Sequence, residues 1–102
     1  MSRRYPYAFP AGLRAEVMRR DGSCILSRIE PEHVCRDVWN NEHRPDDLER
    51  LTMEHVKDES MMGRRAPDDA THLVALCGAA NFAVPNRSQR DAFRAYLRAV
   101  TA

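Results

Sequence analysis

The stretches that decide the fold are "LTMEHV", residues 51 to 56, and "HLVALCGAAN", residues 72 to 81. Each begins with a run of residues typical of a β-strand, and a polar loop containing Gly63 and Pro67 separates the two runs. After Cys77 the residues "GAANFA" favour a short helix, which Pro85 would end. The order predicted here is therefore strand, loop, strand and short helix.

Helices are predicted on both sides of this unit. Residues 10 to 22 read as a helix that begins near Pro10 and ends at Gly22. A C-terminal helix is predicted over about residues 88 to 101, with Ser88 and Asp91 as its capping pair. Its apolar side chains recur at helical spacing: Phe93, Tyr96, Leu97 and Val100.

The segment between the first helix and the first strand, about residues 23 to 50, lacks clean periodicity and contains Pro31 and Pro45. It is interpreted as an irregular insertion within one domain, and Trp39 is expected to anchor it to the body of the protein. The predicted fold class is α+β, with a core over about residues 51 to 84.

The composition fits a single globular domain spanning residues 1 to 102, because 43% of the residues are hydrophobic and 30% are charged. No run resembles a targeting or membrane-spanning segment, so an intracellular, cytoplasmic protein is expected. The net charge of +1 hides an uneven distribution, in which two arginine-rich ends flank an acidic middle. Such a pattern suits a basic rim around an anionic site, although a charge-balanced, solvated surface is the plainer interpretation.

Three polar residues on the predicted hairpin and helix form a candidate site. Glu54 and His55 end the first strand, and Asn81 falls on the short helix. Carboxylate and amide oxygens suit a hard divalent cation such as Mg²⁺ or Mn²⁺. Adjacent strand residues point to opposite faces, so Glu54 and His55 can serve one site only if the strand end twists or bulges.

With these residues in this order, the sequence resembles the HNH endonucleases, which have a ββα-metal fold. The wording "EHV", followed by "HLVALCGAAN" and preceded by a helix that ends in "RRDGSC", carries the resemblance. It is nearest to the small HNH proteins of actinobacterial phages. The resemblance implies a ββα-metal core with an N-terminal helix, an irregular insertion and a C-terminal helix.

The resemblance also implies roles for individual residues. Glu54 and Asn81 take the places of the metal ligands, for Mg²⁺ or Mn²⁺, and His55 takes the place of the general base. His72 stands where the family has a middle Asn that organises the loop and orients the catalytic histidine, which is a departure from the family pattern. A histidine there can still offer one hydrogen-bond donor or acceptor.

Many HNH domains carry a structural zinc held by two C-x-x-C pairs, and here those pairs are reduced to "CILS" and "CGAA". Three cysteines and one histidine satisfy the tetrahedral preference of zinc, and the chain offers that number of donors. Buried free thiols are the plainer interpretation of the same residues. The candidate zinc ligands are Cys24, His33, Cys35 and Cys77.

The function expected from the resemblance is metal-dependent hydrolysis of DNA, with a role in phage DNA packaging beside the terminase. The alternatives from other classes are an HNH-fold module that binds DNA or protein without cleaving, and a structural zinc-binding adaptor. Phosphate contacts are expected from basic residues near the site and on the C-terminal helix, with a solvated surface as the alternative. These residues are Lys57, Arg64, Arg65, Arg90 and Arg94.

Overall fold

The centre of the protein is a two-stranded antiparallel hairpin, seen in a computed structural model that describes residues 9–57 and 66–101. Strand β1 spans Leu51–His55 and strand β2 spans Leu73–Cys77. They pair in unbroken register, from Leu51 opposite Cys77 to His55 opposite Leu73. All five residues of β2 are buried, which explains why "LVALC" is a continuous apolar run. Both predicted strands are confirmed.

Four helices pack around the hairpin, and the described chain is therefore α+β as predicted. Helix α1, Leu13–Asp21, ends as predicted, because Gly22 adopts a left-handed conformation (φ 67°) and its N–H donates to the Met18 carbonyl. The short helix α3, Gly78–Ala83, directly follows β2 and packs on β1. The bounds are Leu13–Asp21 for α1, Ile25–Ile29 for α2, Gly78–Ala83 for α3 and Arg87–Val100 for α4.

The start of α4 differs from the prediction. The capping residue is Asn86, whose side chain accepts the Gln89 N–H, while the Gln89 side chain accepts the Asn86 N–H. This reciprocal pair satisfies two backbone donors at the helix start, so the helix begins at Arg87. The predicted capping pair of Ser88 and Asp91 was wrong.

The insertion, about residues 23 to 50, contains the short helix α2, and its anchor differs from the predicted one. Trp39 is 80% exposed, so the prediction that it anchors the insertion was wrong. It lies in a tight turn in which the Asp37 carboxylate accepts the N–H groups of Trp39 and Asn41, both at 2.9 Å. The insertion is held instead by buried side chains that join the hydrophobic core: Cys24, Ile25, Leu26 and Cys35.

A buried carboxylate connects three elements behind the hairpin. Asp21, at the end of α1, is fully buried and accepts hydrogen bonds from Arg20 Nε (2.6 Å), the Ala75 N–H (2.8 Å) and the Tyr96 hydroxyl. Ala75 belongs to β2 and Tyr96 to α4. Among the described residues, no helix has the length and apolar character needed to cross a membrane.

Candidate functional site

Four potential metal ligands meet where the insertion packs against the end of β2. Cys24 precedes α2, His33 and Cys35 lie in the insertion, and Cys77 is the last residue of β2. Their donor atoms all lie within 4.8 Å of one another. The three thiols are buried, and His33 Nε2 lies 3.3 Å from Cys77 Sγ. The set of donors proposed from the sequence is therefore brought together as one group that could bind a metal ion.

The thiols of this group differ in acidity. The pKa of Cys77 lies well below its usual value, because the Cys24 thiol and two backbone N–H groups, those of Ala80 and Arg36, donate to its sulfur. The pKa of Cys24 is raised by its hydrogen bond to Cys77 and by burial. Burial and the nearby charge of Cys77 raise the pKa of Cys35 to about 11. A cation among these sulfurs would favour their thiolate forms, because thiolate is the form that ligates metal.

Glu54 lies on β1 as a half-buried carboxylate. Burial raises its pKa, and the charges of His55 and Arg90 partly oppose that rise. A carboxylate that is drawn out of water favours a compensating positive charge nearby. Arg90 supplies part of this charge from α4, and a bound cation would supply more.

Asn81, on α3, is attached to the same strand. Its Nδ2 donates to Thr52 Oγ1 at 2.9 Å and lies 3.4 Å from the Met53 carbonyl oxygen. Residues two apart in a strand project from the same face, so Thr52 and Glu54 share one face of β1. The Asn81 carboxamide therefore lies on the face from which Glu54 projects, with Nδ2 turned toward Thr52.

His55 is the last residue of β1. The pairing is regular up to this residue, so β1 has no bulge there. Because successive strand residues alternate, the side chains of His55 and Glu54 project from opposite faces of the strand. Only the twist of the strand end can bring the two side chains toward one site. The Phe9 ring stacks on the imidazole, with ring centroids 5.7 Å apart.

Asp68 is a site residue that the sequence did not reveal. Its Oδ1 lies 2.7 Å from His55 Nε2, so the loop before β2 returns to hold the imidazole. The only signal in the sequence was the pair of carboxylates in "PDDAT", and nothing in their spacing relates them to residue 55.

His72 is held by the turn that precedes β2 rather than belonging to the strand. Its Nδ1 lies 2.8 Å from Asp69 Oδ1 and 3.0 Å from Thr71 Oγ1. Its backbone carbonyl accepts the Val56 N–H at 2.8 Å, which extends the hairpin ladder by one hydrogen bond. The imidazole thus supports the local turn.

The predicted phosphate contacts fall into two groups. Lys57 is exposed just after β1, and Arg64 and Arg65 lie outside the described residues. Arg90 donates to the Pro85 carbonyl, while Arg94 donates to the Lys57 carbonyl at 3.2 Å and pairs with Asp91. Arg94 of α4 therefore lies at the end of the hairpin where β1 leads into the connecting loop.

Comparison with known proteins gives no further assignment, since no protein-family profile, curated protein or solved structure matches this chain. Residues and their geometry are therefore the basis for assigning it a function.

Proposed function

We propose that this chain is a metal-dependent DNA endonuclease of the HNH class, with β1, β2 and α3 as its ββα-metal core. The observation that carries the proposal is the hydrogen bond from Asn81 Nδ2 to Thr52 Oγ1. It fixes a carboxamide from α3 on the face of β1 that also presents Glu54. A half-buried carboxylate and an amide oxygen on one face are suitable ligands for Mg²⁺ or Mn²⁺.

Each side chain has a distinct task in phosphodiester hydrolysis. Glu54 and Asn81 Oδ1 would hold the divalent cation, which supplies positive charge to the phosphorane and the departing O3′. His55 would take the proton of the attacking water, a contribution of typically about 10²- to 10⁴-fold. Asp68, whose Oδ1 lies 2.7 Å from His55 Nε2, would orient the imidazole for this step. The family resemblance implies products with 5′-phosphate and 3′-hydroxyl ends.

Plasmid nicking in Mg²⁺ and Mn²⁺ tests this proposal. We expect His55→Ala to lose nicking while it still retards DNA in a gel, and His43→Ala, which removes an imidazole from the insertion, to nick as the wild type does. Equal cleavage by the wild type and His55→Ala would eliminate His55 as the base. A wild type that binds DNA but leaves it supercoiled in every metal would refute the nuclease.

A second function is supported by His72, which stands where the family has Asn and bonds to its own turn. In that case the chain is a catalytically impaired HNH-fold module that binds DNA or protein. The resemblance to phage proteins points to a packaging protein such as the terminase as the partner. The nicking assay separates this function from the first, because a binding module shifts DNA without cutting it.

We also propose that the group of Cys24, His33, Cys35 and Cys77 binds a structural Zn²⁺. Sulfur and imidazole donors within 4.8 Å of one another suit tetrahedral zinc better than the hard cations. Protein purified without chelator should contain one zinc per chain, and Cys35→Ser should lower that content. The site would be refuted if the purified protein contained no zinc and added zinc did not change its melting temperature.

A further inference from the structure

A cleft of about 160 Å³ lies between the turn before β2 and helix α4. Two arginines of α4, two threonine hydroxyl groups and one imidazole provide its polar lining, and two apolar side chains complete it. The polar lining residues are Thr71, His72, Arg94, Arg98 and Thr101. No carboxylate lines the cleft among the residues that the structure describes.

Two arginines of α4 line one wall of the cleft, and Asp91 balances part of the charge of the first. Arg94 is only 16% exposed, and its guanidinium is fixed by the Lys57 carbonyl and by Asp91. Arg98 follows one helical turn later on the same face of α4. A fixed guanidinium and a second cation at one wall suit a group with several acceptor oxygens, and phosphate is the commonest such group in nucleic acids.

The opposite wall carries hydrogen-bonding groups with a fixed orientation. Asp69 Oδ1 is within hydrogen-bonding distance of both the Thr71 hydroxyl (2.6 Å) and His72 Nδ1 (2.8 Å). Because this carboxylate accepts from both groups, it orients the turn, and the positive charge that would attract an anion comes from the other wall. The cleft is therefore preorganised on both walls.

The cleft lies at the end of the hairpin where His55 is found. The hydrogen bond from the Val56 N–H to the His72 carbonyl is the next rung after the pair of His55 and Leu73. Both Val56 and His72 line the cleft. An anion in the cleft is therefore a near neighbour of a substrate held at His55.

We propose that this cleft binds a backbone phosphate of the nucleic acid, next to the phosphate that is cleaved. The inference rests on the proposed function, since it assigns the cleft to the substrate of the same site. The chemistry shared with a free phosphate ion is the tetrahedral oxyanion, and two experimental arms separate these sources.

The first arm measures how DNA affinity depends on salt, with a duplex oligonucleotide and without divalent metal to prevent cleavage. A protein that loses one phosphate contact shows a slope of log K against log salt that is smaller by about 0.9. We expect this decrease for Arg98→Gln and no decrease for Arg44→Gln. The control removes the same charge from a side chain that is 82% exposed and paired with Asp46 in the insertion.

The second arm uses inorganic phosphate and no DNA. Backbone amide signals of Thr71 and Thr101 should shift as phosphate is added to the wild type, and should not shift in Arg98→Gln. If DNA binds and the two variants have equal slopes, the inference is overturned while the proposed function stands. If DNA does not bind, the proposed function fails, and phosphate-dependent shifts would keep the cleft as a site for free phosphate. Absence of both effects overturns both.

Discussion

Replacing Asp21 by Ala should lower the free energy of unfolding more than any other single substitution among the residues that join α1, β2 and α4. The side chain is fully buried and accepts hydrogen bonds from Arg20, Ala75 and Tyr96. The substitution leaves the Arg20 guanidinium, whose side chain is only 16% exposed, without its carboxylate. Removing one partner of a buried ion pair costs about 3–5 kcal/mol. That is a large fraction of the stability of a domain of this size.

The expected change is large enough to measure without ambiguity. At about 4–8 °C per kcal/mol for a domain of up to 100 residues, the melting temperature should fall by roughly 12 °C or more. Urea denaturation followed by circular dichroism gives the free energy of unfolding directly. Tyr96→Phe removes only one hydrogen bond to the carboxylate and should cost about 1.5–3 kcal/mol.

A matched control is the exposed carboxylate of Asp46, which pairs with Arg44 at the surface. Exposed pairs of this kind contribute about 0–1 kcal/mol, so Asp46→Ala should change the unfolding free energy by no more than that. If Asp21→Ala and Asp46→Ala lowered the free energy of unfolding equally, the view that the Asp21 carboxylate joins α1, β2 and α4 would be refuted.

Three further predictions concern the site. Burial raises the pKa of Glu54, so its negative charge destabilises the fold above that pKa and has no effect on stability below the ordinary glutamate pKa of about 4.3. Glu54→Gln should therefore raise the melting temperature at pH 7 without added metal, but not at pH 4. A decrease at pH 7 would contradict this. Asp68→Ala should lower kcat for nicking by about 10- to 100-fold, as is typical of groups that orient metal-site histidines. KM should be unchanged, because the role proposed for His55 is to activate water and not to bind DNA; wild-type kcat would exclude the orienting role. Gly78→Ala would place a Cβ 2.9 Å from Val38 Cγ1 and 3.0 Å from Val38 N, and should cost about 1–3 kcal/mol in urea denaturation; no loss would mean that the insertion moves aside.

The hairpin and the helix that follows it could be predicted because their signals are local. A continuous apolar run is what a buried strand needs, and "LVALC" has no competing interpretation at that length. The start of α4 could not be fixed in the same way, because Asn86 with Gln89 and Ser88 with Asp91 both fit a capping pattern. The two choices differ by two residues, and only the mutual hydrogen bonds of Asn86 and Gln89 distinguish them.

The candidate site was predictable in its ligand types and not in its supporting contacts. His33 could be grouped with the three cysteines because it lies two residues before Cys35 in "HVC", although the chain has four histidines. The role of Asp68 depends on how the loop returns to His55, which is a tertiary contact without a sequence signature. Trp39 was expected to be buried because large aromatic side chains usually are. It lies instead in an exposed turn, where the Asp37 carboxylate accepts two backbone N–H groups.

Helix α3 connects the Cys/His group with the proposed site of Glu54, His55 and Asn81, here called the hairpin site. A helix of six residues is not stable by itself in water, so α3 depends on its attachments. Cys77, immediately before the helix, belongs to the Cys/His group, and Asn81, four residues later, is bonded to β1. A metal ion at Cys77 would therefore fix the first turn of α3 and, through it, the position of the carboxamide beside Glu54. Loss of that ion should impair the hairpin site by displacing Asn81, although the two groups of ligands share no residue.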